Sequence, residues 1–211
     1  MPATHASLIT PQSAGGAAYL AAVAFFAADR HKLQRRKGVN EWPYINHPLA
    51  VANVLVEAGE TDPETLAAAI GHDLVEDTET TAEELAQRFG VAMRDLVLEC
   101  SDDKSLPYAA RKQSQIDYAP HASFRAGKIK LADKIVNLRD LATETPPNWG
   151  GERVGVYFDW ALAVATPLLA KHPALGAVFE EAYALKSTAI EAADRLLAQH
   201  RAAHGSRRGM L

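Results

Sequence analysis

Two adjacent residues, His72 and Asp73, interrupt an apolar stretch in which their neighbours are Ala67, Ala68, Ala69, Ile70, Leu74 and Val75. An imidazole and a carboxylate set among apolar side chains need a hydrogen-bonding partner, a counter-charge or a metal ion, because burying either alone is costly. Glu76 and Asp77 follow one helical turn later, so a helix through this stretch points one imidazole and three carboxylates in nearby directions. That much negative charge calls for a cation. Imidazole with carboxylate suits a divalent transition ion such as Mn²⁺, Fe²⁺ or Zn²⁺, and the lack of cysteine ligands argues against a structural zinc site.

Two residues do not complete a coordination sphere, and His47 and Asp133 are the best further candidates. In the segment KIKLADKIVNLRD, Lys130, Asp133, Lys134 and Asn137 form a polar stripe at helical spacing, flanked by Ile129, Leu131, Ile135 and Leu138. Such a stripe combines a metal ligand with cationic and amide donors suited to phosphate oxygens. Each signal also has an ordinary explanation. His47-Pro48 can simply cap a helix, Glu76 to Glu79 can be a solvated helix end, and Lys130 with Lys134 a solvated face. Arg35-Arg36-Lys37 can be the basic end that a helix dipole favours.

The elements that must position these groups read as helices almost throughout. Alanine and leucine dominate, alternating β-branched runs are missing, and turn signals separate stretches of helix length. An all-α fold is expected. A first helix spans about 16 to 35 and ends in the basic cluster at Gly38. Pro48 suits the first turn of a second helix and pushes His47 out of the α region, to the helix entrance. Asp62 as N-cap and Pro63 at the first position open a third helix that carries LAAAIGHDLVED as one piece. Thr80 to Glu84 offers two overlapping capping boxes, and Gly90 a stop. Further helices are expected at about 91 to 101, 107 to 118, 123 to 142, 151 to 171 and 174 to 200. The tail from 201 to 211 is expected to fray.

With 211 residues and 48% apolar composition, one domain over residues 1–200 is expected. The single cysteine, Cys100, cannot pair within the chain, and the opening MPATHASLIT lacks the basic start of a signal peptide, so a cytoplasmic protein is expected. No apolar run approaches bilayer length, and a formal net charge of -4 argues against a nucleic-acid coat. The partners expected are therefore neither membrane nor nucleic acid, and no oligomeric state is assigned.

Taken together, the order His…His-Asp…Asp is the signature of the HD superfamily. The words QRRKG, YINHPLAVA, GHDLVEDTETT, LECSDDKSLP, RKQSQI and IKLADKIVNLRDL follow one another as in the hydrolase domain of RelA/SpoT proteins and its stand-alone relatives, the small alarmone hydrolases of the animal Mesh1 type. The resemblance covers roughly Ala17 to Ala163. It implies a compact HD-domain helical bundle with one Mn²⁺ held by His47, His72, Asp73 and Asp133. It also implies that Glu76 and Asp77 activate or position the attacking water. Arg36, Lys37, Asn137 and Arg139 are implied to contact the nucleotide substrate or its phosphates, and Tyr157 to lie near the nucleoside, while Lys134 adds positive charge toward the phosphates.

The reaction implied is removal of pyrophosphate from the ribose 3′ position of ppGpp or pppGpp, giving GDP or GTP. Alternatives on the same site are adenosine alarmones such as pppApp, or the 2′-phosphate of NADPH. A non-catalytic alarmone-binding module is the alternative of a different class. RelA/SpoT proteins follow this domain with a synthetase, for which the chain has no room, so hydrolysis without synthesis is expected. Two departures stand out: Gly71 where the family commonly has a bulky apolar residue, and weaker resemblance between Gly38 and Pro43 and after Ala163.

Overall fold

The computed structural model of the protein describes residues 8–205, and among these the chain is helical with no β-strand. The elements are α1 (Pro11–Ala14), α2 (Gly16–Arg30), α3 (Asn46–Glu57), α4 (Pro63–Gly71), α5 (Leu74–Asp77), α6 (Ala82–Phe89) and α7 (Val91–Cys100). After these come α8 (Tyr108–Tyr118), a 3-10 turn (Ala119–His121), α9 (Phe124–Thr143), α10 (Gly151–Leu169), α11 (Pro173–Tyr183) and α12 (Lys186–Gly205). The expected all-α class holds. No described helix is long and apolar enough to cross a membrane.

Several boundaries follow the capping chemistry. The Asp62 carboxylate accepts from the backbone N–H groups of Glu64 and Thr65 and starts α4, with Pro63 at the first position. Thr81 caps α6 through the Glu84 N–H, and Gly90 ends it at φ 93°, a conformation that a side chain would strain. The α10 N-terminus begins at Gly150, which offers no side chain. Asp194 of α12 supplies the missing acceptor, at 2.7 Å from the Gly151 N–H, which ties the last helix onto α10.

Other boundaries depart from the sequence reading. Helix α2, expected to run to about residue 35, ends at Arg30, not at the basic cluster, because the chain turns back on itself. The Arg36 N–H donates to the Trp42 carbonyl at 2.8 Å and the Tyr44 N–H to that of Gln34 at 3.1 Å. Residues 34 to 36 thus form one side of a short strap. His47 lies inside the first turn of α3, not ahead of it. Pro48 is tolerated there because the N–H groups of a first turn have no intrahelical acceptor to lose. The stretch expected as one helix over 174 to 200 is two, since Leu185 closes a tight turn onto the Ala182 carbonyl at 3.3 Å. Helix α12 runs on to Gly205, into the segment expected as a tail; residues 206–211, and the opening residues 1–7, lie outside the described ones.

Helix α9 is the axis of the molecule and packs against α3, α4, α7, α10, α11 and α12. Ile129, Leu131, Ala132, Ile135 and Leu138 are fully buried along it, each large side chain contributing roughly 1.5–3 kcal/mol. Helix α4 lies between α2, α3, α7 and α9, and its Ala67, Ala68 and Ala69 admit these neighbours closely. Gly71 shows why the bulky residue is missing: a Cβ there would stand 2.7 Å from the Met93 Cε of α7. Met93 fills the space that a larger residue at 71 would take.

Candidate metal centre and substrate cavity

The expected single helix through the His-Asp pair is broken there. Helix α4 ends at Gly71, and α5 begins at Leu74. The cause is the His72 ring, whose Nδ1 lies 2.8 Å from the Ala69 carbonyl oxygen, the acceptor that an uninterrupted helix would offer to the Asp73 N–H. His72 therefore donates through Nδ1 and turns Nε2 toward the cluster. That Nε2 is buried and finds no hydrogen bond. It stands 3.2 Å from Asp73 Oδ1 and 3.9 Å from Asp133 Oδ1.

His47 arrives from α3 and Asp133 from α9, with His47 Nε2 3.1 Å from Asp133 Oδ1 and 3.8 Å from Asp73 Oδ2. Ligand atoms of His47, His72 and Asp133 all lie within 4.8 Å of one another. Burial outweighs the pull of Asp133 and holds His47 below the usual imidazole range, which favours the neutral, metal-binding form. Burial alone would raise the Asp133 carboxyl, but the Lys134 ammonium at 2.7 Å and the two imidazoles hold it well below its usual value. Asp73 is likewise held low, burial being outweighed by the imidazoles of His72 and His47. Two imidazoles and two ionised carboxylates, with a buried His72 Nε2 that has no hydrogen-bond partner, fit a divalent cation. Outer support is uneven: the second ring nitrogen of His72 is held, whereas His47 Nδ1 has no partner.

Glu76 and Asp77, one turn on, are fixed by different means. The Glu76 Oε2 accepts the Asp102 N–H at 3.0 Å. Burial pushes its carboxyl up, reinforced by the charges of Asp102, Asp73 and Asp77. Asp77 is ion-paired with Lys104 and accepts the Tyr44 hydroxyl at 3.0 Å, and the same hydroxyl lies 2.7 Å from Asp73 Oδ2. One phenol thus links the metal cluster to the acidic pair.

Two connected cavities meet here. The smaller, ≈ 210 Å³, holds His47, His72, Asp73, Glu76, Asp77 and Asp133 with Lys130 and Lys134 on its wall. The larger, ≈ 690 Å³, takes in Arg36, Lys37, Asn137, Tyr157, Trp149 and Arg153. Arg36 Nη2 donates to Asn137 Oδ1 at 2.8 Å and to Asp140 Oδ2 at 2.7 Å, which anchors the basic strap to α9. Gly38 permits this approach, since a Cβ there would run into the Glu144 carbonyl. Arg139 lines neither cavity. Six residues from Asp133, it is turned about 120° around α9, so the expectation that it contacts the substrate is not matched by its position.

Residues that the sequence reading did not single out include Tyr44, Asp140 and Lys112. Asp140 was reachable as the i+7 continuation of the Asp133 stripe. Tyr108, Arg111, Lys112 and Gln115 line the smaller cavity at i, i+3, i+4 and i+7 of α8, a helical face visible within SLPYAARKQSQ.

An HD-domain family model matches residues 22–157 of the chain. The protein is a member of the HD-domain family. Within the HD family it is similar to the stand-alone Mesh1 proteins. It is 51% identical over 153 residues to guanosine-3′,5′-bis(diphosphate) 3′-pyrophosphohydrolase MESH1 of Xenopus tropicalis, covering 72% of this chain and 86% of the relative. The MESH1 of Mus musculus is 49% identical over 170 residues, covering 78% and 95%. A solved structure described as a metazoan orthologue of SpoT that hydrolyses ppGpp superposes with a TM-score of 0.78 at 42% identity, covering 81% of this chain and 97% of that one. An HD-domain hydrolase implies a divalent metal, and among the described residues His47, His72 and Asp133 form a cluster that could hold one.

Proposed function

We propose that the protein is a metal-dependent hydrolase that removes pyrophosphate from the 3′ position of ppGpp or pppGpp, giving GDP or GTP, with Mn²⁺ as the ion. The observation that carries this reading is the meeting of the His-Asp cluster and the Glu76-Asp77 pair in one cavity, opening into a larger one with aromatic and cationic walls. The likeness to Mesh1 proteins over most of their length names the substrate.

His47, His72, Asp73 and Asp133 would hold the ion. When bound, a divalent cation supplies Lewis-acid stabilisation of phosphoryl charge and makes water easier to deprotonate. Glu76 takes the proton of the attacking water, and its raised pKa brings it closer to the working pH than an exposed carboxylate would be. Asp77, held by Lys104 and Tyr44, stays fixed and orients that water. Arg36, Lys37, Lys134 and Asn137 meet the phosphate charge, and Arg36 is pre-aimed by Asp140. Tyr157, with Trp149 at 6.1 Å between ring centroids, offers an apolar wall to the nucleoside.

A turnover panel of ppGpp, pppGpp, pppApp and NADPH with Mn²⁺-loaded protein tests this reading. Pyrophosphate release from the guanosine alarmones is expected. No release from ppGpp by wild type, with Glu76→Ala indistinguishable from it, contradicts the reading.

A further inference from the structure

The hydrolysis proposed above breaks the bond between phosphorus and the 3′-oxygen, so the departing oxygen needs a proton, and none of the roles assigned so far supplies it. Of the residues that line both cavities, where a nucleotide passes from ribose to 3′-diphosphate, Asn137 is an amide, Tyr108 is mostly exposed, and burial pushes the Tyr157 phenol far above the range in which it gives up a proton. Among them, Arg36 keeps its proton and is committed to Asp140 and Asn137. Asp77 is ion-paired, His47 belongs to the metal cluster, and the Tyr44 hydroxyl is spent on Asp73 and Asp77. Lys112 lines both cavities as well.

The setting of Lys112 is unusual for a lysine. Its Nζ lies 3.2 Å from the Trp160 ring centroid, 5.0 Å from that of Tyr157 and 5.6 Å from that of Tyr108. The Trp160 indole N–H donates to the Lys112 carbonyl at 3.0 Å, locking ring and lysine together. Aromatic faces steady an ammonium without taking its proton. Among the described residues, the Lys112 ammonium has no carboxylate ion pair. We propose that Lys112 is the proton donor to the 3′-oxygen leaving group, placed by its aromatic cage at the junction of the two cavities.

The step balances. The water oxygen bonds to phosphorus while Glu76 receives the water proton; the bond from phosphorus to the 3′-oxygen breaks, its electron pair stays on that oxygen, and the Lys112 proton completes the 3′-hydroxyl. Neutral Lys112 regains a proton from solvent, and Glu76 loses one to it. Burial, reinforced by the Lys134 ammonium, lowers the Lys112 pKa to about 7, which suits a group that must give up a proton near neutrality. The groups facing it are Lys134 and Asp133 from α9, Tyr157 from α10, Asp102 from the preceding loop, and Tyr108 and Arg111 of α8 itself.

The inference rests on the hydrolase reading, and wild-type turnover of ppGpp checks that reading separately. The test is steady-state kinetics of Mn²⁺-loaded wild type, Lys112→Arg and Lys112→Gln against pH. A donor must be protonated, so wild-type kcat is expected to fall as pH rises through the lysine's pKa. Lys112→Arg keeps the charge but cannot donate, and is expected to lose about 100-fold in kcat with KM little changed and the basic limb gone. Lys112→Gln is expected to lose as much. If Lys112→Arg retains kcat within about threefold, or if the loss lies in KM alone, only the charge matters and the proposal is overturned. If neither variant folds, a wild-type kcat that stays level into the alkaline range overturns it equally.

Discussion

His72 Nδ1 sits 2.8 Å from the Ala69 carbonyl oxygen, and this bond does two things at once. It interrupts the helix so that Asp73 and Glu76 are carried on a separate short turn, and it orients the ring so that Nε2 faces Asp73 and Asp133. Local backbone competition thus sets the chemistry of the site.

Removing that ring should remove the metal. His72→Ala is expected to lower metal affinity by more than about 100-fold, since loss of an outer-shell partner alone costs about 10–100-fold. Metal analysis after dialysis reads the result, and a variant that retains a full equivalent of ion would show that His72 is not a ligand.

Glu76 sets the acidic limb of activity. As a base it must be ionised, and its pKa is raised by burial and neighbouring carboxylates. Activity is therefore present above that raised pKa and lost as pH falls through it. Glu76→Gln is expected to lower kcat by about 10²–10⁴-fold and abolish the acidic limb, with metal content unchanged.

Arg36 should depend on Asp140. Asp140→Asn removes the counter-charge and leaves Arg36 held by neutral acceptors such as Asn137 Oδ1, and the weakened anchor is expected to raise KM for ppGpp about tenfold with a smaller effect on kcat. Equal KM values in the two proteins would show that the 2.7 Å pairing does not aim Arg36.

Gly71 and Met93 should be coupled. Gly71→Leu drives a side chain into the Met93 methyl group and is expected to destabilise the protein by about 1–3 kcal/mol. Met93→Ala vacates that space, so the double variant is expected to be more stable than the sum of the singles implies, by about 0.5–3 kcal/mol. Denaturant unfolding of the four proteins measures this.

The parts of the molecule legible in the sequence are those fixed by local chemistry. Asp62-Pro63, Thr81 and Gly90 announce helix ends because their side chains or backbone freedom act within one turn. The Asp133 stripe was visible because the apolar residues Ile129, Leu131, Ile135 and Leu138 that flank it are buried. What escaped depends on contacts distant in the chain or on side chains competing with the backbone. The break at His72 needs the ring's turn toward Ala69, and the early end of α2 needs Gln34 and Arg36 to pair with residues 42 to 44. Arg139 reads as part of a motif, yet helical geometry turns it away from the cavities. Lys112 gained meaning only when Trp160, from α10, closed over it.

The central claim is that a metal held by this cluster enables release of pyrophosphate from ppGpp. Its most direct measurement is pyrophosphate release from ppGpp by chelator-stripped protein titrated with Mn²⁺. The account predicts no turnover in the stripped protein and activity that rises to a plateau near one equivalent of ion. Full turnover without metal, or none with any divalent ion, would contradict it.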